Sequence, residues 1–324
     1  MTVVDGFFKT ASAIGRLHPM SRPERHDVEV VRDVPYEDTG LAEHRLDVYR
    51  PRGLPGPLPV LLYVHGGAFR ILSKDTHWIM ALAFARRGFL VLNISYRLAP
   101  KHPFPAAIAD AASAYVFAVR EAATWGGDPR TLVLAGESAG ANLVTSLAIS
   151  ACWDRDEPHA KAVRETGIVP RAVLPACGLL QVTNPERFSS MYGGKLSPFF
   201  LDRIEEASGA YLRKVRGDVG SRELDLADPL VALERAAPPV RPLPPFFAVC
   251  GTADPLIDDT RRLAAALDRL GGRCEARYYE GEIHAFHAFV FRKAARRCWR
   301  DTFRFLEGAL GVPLPESGKT PWDR

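Results

Sequence analysis

Leu58-Pro59-Val60-Leu61-Leu62-Tyr63-Val64 is a β-branched and aliphatic run with no polar alternation, the pattern of a strand buried on both faces of a sheet. From there the chain alternates. A helical periodicity over His77 to Arg87 leads to a strand over Phe89 to Tyr96, a helix over Pro105 to Thr124 and a strand over Thr131 to Ala135. A helix from Ala139 to about Trp153 and a strand over Arg171 to Pro175 follow. The strand pattern resumes at Pro245 to Cys250, with a helix over Asp258 to Leu270, a last strand over Arg273 to Tyr279 and a long helix over Ala288 to Leu310. Such alternation, with short Gly- and Pro-bearing turns, predicts an α/β fold: a mostly parallel central sheet with crossover helices on both faces.

Three stretches stand apart from this rhythm. Phe7, Phe8, Ala11, Ile14 and Leu17 suit one or two short amphipathic helices, ahead of strands at Val28 to Val34 and Leu46 to Tyr49. Residues 178 to 242 show helical patterns but no buried-strand run, and the first part, 178–222, reads as an insertion in the core. The tail 313–324 carries Pro313, Pro315 and Pro321 and reads as irregular. The resulting division is 1–45 for the N-terminal helices and first strand, 46–177 and 223–312 for the two parts of the core, and the insertion between them.

Composition narrows the function classes. The chain has 324 residues, 47% hydrophobic and 25% charged, which suits a globular protein with ample core material. The net charge of +4 arises from 42 basic and 38 acidic residues dispersed along the chain, so no basic track for nucleic acid is expected. Arg292, Lys293, Arg296, Arg297 and Arg300 read as the solvated face of a helix. The five cysteines, Cys152, Cys177, Cys250, Cys274 and Cys298, are far apart and form no CxxC pair, which suggests neither a disulfide framework nor a metal site. Asp5 interrupts the N-terminus, and no apolar stretch has the length of a signal peptide or membrane span, so a cytoplasmic location without stable membrane insertion is expected.

The chemistry concentrates in four places. Gly136-Glu137-Ser138-Ala139-Gly140 follows a buried strand and opens a helix, the context in which a GxSxG serine sits on a sharp turn as a nucleophile. His65-Gly66-Gly67-Ala68-Phe69 follows the strand ending at Val64. Its small residues let amides of Gly66, Gly67 and Ala68, with that of Ala139, form an oxyanion hole. A hydroxyl needs a base and the base an orienting group, and Asp254 and His284 lie after later strands in the chain order Ser, Asp, His. His65 reads as a loop-holding residue, Asp258 and Asp259 as helix caps, His287 as a surface or core histidine, and Glu137 as a structural hydrogen-bonding or ion-pairing group.

With these elements, together with Tyr96-Arg97-Leu98-Ala99-Pro100 and Pro103-Phe104-Pro105-Ala106-Ala107, the chain resembles the hormone-sensitive-lipase-like esterases, bacterial family IV, from about Leu58 to His284. The resemblance implies an α/β-hydrolase fold and a helical cap built from the N-terminal helices and the insertion. Phe7, Phe8, Met191, Tyr192, Phe199, Phe200 and Leu201 are candidates either to line the pocket or to fix that cap to the core. Ala68 stands where the family usually has a third glycine, which keeps the amide but changes the shape of the adjoining pocket.

The expected activity is hydrolysis of short- to medium-chain acyl esters by a Ser138–His284–Asp254 triad, on a small-molecule substrate and without cofactor. An amide or peptide hydrolase and a non-catalytic small-molecule receptor are the alternatives on the same fold. If the last strand forms the sheet edge, a homodimer through it is an open possibility.

Overall fold

The computed structural model describes residues 5–6, 10, 12–13, 15, 18, 21–54, 56–194, 196–213 and 219–315. Among them, eight strands form one sheet. They are β1 Val28–Pro35, β2 Arg45–Pro51, β3 Leu58–Val64, β4 Leu90–Ile94, β5 Gly127–Glu137, β6 Ala172–Ala176, β7 Phe246–Gly251 and β8 Cys274–Tyr279. Their spatial order is β1-β2-β4-β3-β5-β6-β7-β8. β1–β2 and β2–β4 are antiparallel and every later pair is parallel. The expected fold class is the one observed.

The chain leaves β3 for β4 on one side and returns to β5 on the other. That reversal opens a crevice beyond the carboxyl ends of β3 and β5, where ligands of open α/β sheets bind. Both the His65–Ala68 loop and Ser138 begin there.

Alternation along β3 divides the core between the two faces of the sheet. Leu62 and Val64 join a cluster with Ile108, Tyr115, Leu143 and Leu147 of the helices Ala106–Glu121 and Ala139–Cys152. Leu61 and Tyr63 join one with Met80, Phe84, Phe303 and Leu306 of the helices Trp78–Ala85 and Lys293–Leu310. Every residue of Ala139–Cys152 is buried, and its hydroxyl groups find backbone acceptors. Thr145 Oγ1 donates to Ala141 O at 2.7 Å, and Ser146 Oγ contacts Leu226 O at 3.0 Å.

Several boundaries differ from the sequence reading. The long helix begins at Lys293, not Ala288, because Ala285 adopts a left-handed conformation and Phe286–Ala288 forms a separate 3-10 turn. A short helix, Pro158–Glu165, fills the stretch between Trp153 and β6 that carried no prediction. Leu179, Leu180 and Val182, just after β6, are buried in the larger cluster. Beyond them lie the helices Arg187–Tyr192 and Pro198–Tyr211. Phe7, Phe8, Ala11, Ile14 and Leu17, and the tail from 316, fall outside the described residues. The strand expected at 273–279 is the sheet edge, and its Arg277 and Glu275 pair on it at 2.8 Å.

Among the closest backbone approaches in the fold is that at Gly140, where a Cβ would stand 2.0 Å from Val64 O. Gly140→Ala is therefore expected to destabilise the protein by about 3 kcal/mol or more, since the obstacle is backbone and cannot rotate away. A urea-unfolding midpoint equal to that of the wild type would contradict this packing.

Candidate active site

Strand β5 delivers Ser138 to the end of the sheet and the helix Ala139–Cys152 starts immediately after it. At the turn Ser138 takes φ 52°, ψ −115°, a conformation that a side-chain-bearing residue holds only when its surroundings impose it. Those surroundings are backbone. A Cβ at Gly136 would lie 2.5 Å from Gly140 O, and Ser138 N–H donates to Ala176 O at 2.9 Å.

The loop after β3 lies against this elbow. A Cβ at Gly66 would meet Glu137 O at 3.0 Å and Ser138 Cβ at 3.3 Å. Gly67 has φ 110°, and a Cβ there would collide with Ile71 O at 2.1 Å. Ala68 and Phe69 follow at φ 52° and 61°. Neither the Gly67 nor the Ala68 N–H finds an acceptor among the described residues, which leaves both free to meet a developing oxyanion. Ala68, where the resembled family has glycine, thus occupies a left-handed position at some cost in strain.

His65 is buried, its Nδ1 2.7 Å from Gly66 O and its ring stacked on Tyr96 at 4.2 Å. Burial, reinforced by His77, pushes its pKa down to about 3, so it stays neutral. It holds the loop, as its position in the sequence suggested.

Asp254 and His284 meet at the ends of β7 and β8, with Nδ1 2.8 Å from Oδ2. Asp254 is 1% exposed, and its other oxygen accepts the Leu256 N–H at 2.9 Å. Burial opposes its ionisation, but His284 and that N–H outweigh burial and hold the carboxyl below its ordinary range. Burial likewise disfavours the His284 imidazolium, and the Asp254 carboxylate reverses the effect, raising the imidazole well above its ordinary value.

The two loops are clamped together. A Cβ at Gly251 would lie 2.0 Å from Glu282 O, and Ala253 N–H donates to that oxygen at 3.0 Å. No hydrogen bond joins the Ser138 hydroxyl to His284 in this structure, so the structure assembles the Asp–His pair and the serine–amide loop as two adjoining halves. Cys177, buried and left-handed at φ 40°, lies beside His284.

Glu137 is the hydrogen-bonding and ion-pairing group expected at the elbow, and it engages two histidines. Its Oε1 is 2.8 Å from His77 Nε2 and its Oε2 is 3.0 Å from His287 Nε2, all three being buried. His287 is thus a core histidine paired with the elbow. His77 was missed, because nothing local distinguishes a histidine at the start of a helix.

Asp259 departs from its expected capping role. It accepts Leu180 N–H at 2.9 Å and Gln181 N–H at 3.2 Å, and Arg187 contacts both its oxygens at 3.0 Å. Its place on the buried stripe with Leu263 and Ala266 was the available signal.

The helices of the inserted segment are tied to these loops. Tyr211 stacks on Phe69 at 3.8 Å, its carbonyl accepts Phe104 N–H at 2.7 Å, and Glu206 pairs with Arg70 at 2.5 Å. Tyr192 donates to Pro255 O at 2.9 Å, and Phe200 meets Phe188 edge-on at 5.7 Å. Met191 and Phe199 are 46% and 62% exposed.

A strained serine on a strand–helix turn, facing open amides and adjoined by an aspartate–histidine pair, defines the class of α/β-fold hydrolases. The comparisons agree: residues 61–288 match the family described as alpha/beta hydrolase fold. An acetyl esterase of Salmonella schwarzengrund is 30% identical over 270 residues, covering 82% of this chain and 76% of that protein. Carboxylesterase NlhH of Mycobacterium tuberculosis is 40% identical over 118 residues, 36% of each chain. A hyperthermophilic esterase from the archaeon Pyrobaculum calidifontis superposes with a TM-score of 0.72 at 26% identity, covering 95% and 93% of the two chains. The chain belongs to the α/β-hydrolase family, within its hormone-sensitive-lipase-like branch.

Glu137 also dictates a pH dependence of stability. Burial raises its pKa, but His77 and His287 outweigh burial and hold it well below the ordinary value of 4.5; His65 and Tyr63 face the same cluster. A carboxyl depressed in the folded state stabilises above its unfolded pKa and loses that contribution as pH falls toward the folded one. Glu137→Gln should therefore be less stable at neutral pH by about 3 kcal/mol. Its unfolding free energy should also fall less steeply than the wild type's as pH drops below about 4.5. Parallel slopes in urea titrations below that pH would refute the assignment.

Proposed function

We propose that this carboxylic ester hydrolase is a serine carboxylesterase acting on short- to medium-chain acyl esters. The observation that carries the reading is the Asp254–His284 hydrogen bond of 2.8 Å at the carboxyl end of the sheet that also presents Ser138. Ser138 Oγ attacks the ester carbonyl and His284 takes its proton, with Asp254 fixing the ring's tautomer and orientation. The His284 side chain is 37% exposed, which gives the ring room to swing to the hydroxyl when substrate binds.

The amides of Gly66, Gly67, Ala68 and Ala139 receive the oxyanion. His284 then protonates the leaving alcohol, and a water molecule deprotonated by the same imidazole releases the acid from Ser138. Every group in the sequence is supplied by the chain, and no cofactor is needed. The inserted segment serves as the cap over the acyl pocket, a role supported by its contacts with Phe69, Arg70 and Pro255. The acetyl esterase relative supports the preference for small acyl groups.

Ser138→Ala should lower kcat on p-nitrophenyl acetate and butyrate by at least about a thousandfold with an unchanged circular dichroism spectrum. Asp254→Asn should lose about 100-fold or more, because the ring loses its orienting partner. Near-normal turnover in Ser138→Ala would sink the triad. A rate on p-nitrophenyl palmitate above that on butyrate would sink the chain-length preference.

A further inference from the structure

The Asp254–His284 pair has a third neighbour that ester hydrolysis does not use. Cys177 follows β6 at φ 40°, its N–H donating to Val249 O at 2.7 Å, and only 1% of it is exposed. Its Sγ, a nitrogen of His284 and a carboxylate oxygen of Asp254 all lie within 4.8 Å of one another. Among the described residues this is the trio of His, Cys, Asp or Glu side chains placed to share a cation.

We propose that Cys177, Asp254 and His284 form a binding site for a thiophilic divalent cation of the Zn2+ type, and that filling it switches the hydrolase off by occupying the imidazole. The effect on turnover rests on His284 being the catalytic base; the binding does not.

Donor type, spacing and charge each point the same way. Thiolate, imidazole and carboxylate are the ligands that Zn2+ takes, and three protein ligands leave the fourth tetrahedral position for water. Metal–ligand bonds of about 2.0–2.3 Å set tetrahedral ligands about 3.5 Å apart, so side-chain rotations on the order of 1 Å complete the site. Asp254 and Cys177 are both buried, where uncompensated charge is costly. One thiolate and one carboxylate neutralise one dication, and the partly exposed side of His284 gives the ion its way in.

The other neighbours of Cys177, Cys250 and Ile257, are apolar contacts that any small side chain would satisfy, so packing does not account for the sulfur. On binding, the Cys177 S–H bond breaks and its proton leaves to water. The imidazole, where Asp254 holds it protonated, loses its second proton to water as well, gives the lone pair of the freed nitrogen to the metal and keeps its remaining proton on the other. Asp254 exchanges its bond to the ring for one to the ion, and no electron is transferred.

The test has a binding arm and an activity arm. Co2+ replaces Zn2+ as a visible probe, added to the full-length Ser138→Ala protein so that binding is read without turnover. One equivalent should produce a near-ultraviolet thiolate-to-cobalt absorption band, which disappears when Cys177→Ala is added to that background. In the active protein, Zn2+ should inhibit p-nitrophenyl acetate hydrolysis reversibly with chelator, and Cys177→Ala should raise the inhibition constant by at least about 10-fold.

Each variant is compared with itself with and without metal, so a change in its basal rate does not enter. Cys177→Ser, which keeps the volume and loses the soft ligand, should behave like Cys177→Ala and serves if the alanine variant does not fold. Absence of the cobalt band, or equal inhibition of wild type and both variants, overturns the site. A Cys177-dependent band together with unimpaired turnover in the presence of metal overturns His284 as the base and with it the inhibition.

Discussion

Backbone touching backbone at the carboxyl ends of the central strands is the constraint on which the rest of this molecule depends. Gly140 approaches the carbonyl of Val64 so closely that a Cβ would sit 2.0 Å from it, and Gly136 in turn faces Gly140 O at 2.5 Å. Gly66 closes on the backbone of Glu137, and Gly251 on Glu282 O at 2.0 Å. The Gly136 contact tightens the elbow itself, and each of the others joins two segments that the sheet would otherwise hold a strand spacing apart. With side chains at these points, the serine, the free amides and the aspartate–histidine pair would stay at the ends of separate strands.

Once the loops are in contact, buried charge sorts the histidines. Glu137 engages His77 and His287, one on each of its oxygens, while Asp254 engages His284. His287 and His284 are three residues apart on one turn, so the two carboxylates divide a single short segment between them. Because Glu137 immediately precedes Ser138, the Glu137–His287 pair ties the loop bearing the imidazole to the strand bearing the hydroxyl. The third buried group, His65, is kept neutral by desolvation and needs no counter-charge.

What was legible in the sequence follows from the range over which each signal acts. β3 ends where its apolar run ends, at Leu58 and Val64, because burial on both faces leaves no polar residue to blur the limits. Ser138, Asp254 and His284 stand out in the sequence because each follows the end of a strand, a local feature. His77, Asp259 and Cys177 do not, since each acquires its role from a partner 60, 72 or about a hundred residues away. The start of the last helix was misplaced for a related reason: Phe286–Ala288 turns inward to bury Phe286 and His287, and that tertiary demand overrides a helical periodicity that extends further back.

The inserted helices are attached at points that coincide with the chemical groups. Tyr192 bonds the carbonyl next to Asp254, Tyr211 and Glu206 hold Phe69 and Arg70 next to Ala68, and Arg187 grips Asp259 on the helix that follows Asp254. A segment anchored in this way cannot shift without also pulling on the amide loop or the aspartate loop. In the proposed cap role, that anchoring couples substrate fit to transition-state geometry. A displacement of the orienting loop by as little as about 1 Å is enough to alter catalysis strongly. The exposed faces of Met191 and Phe199 can vary without touching those anchors, whereas Tyr211, buried between Phe69 and Phe104, cannot.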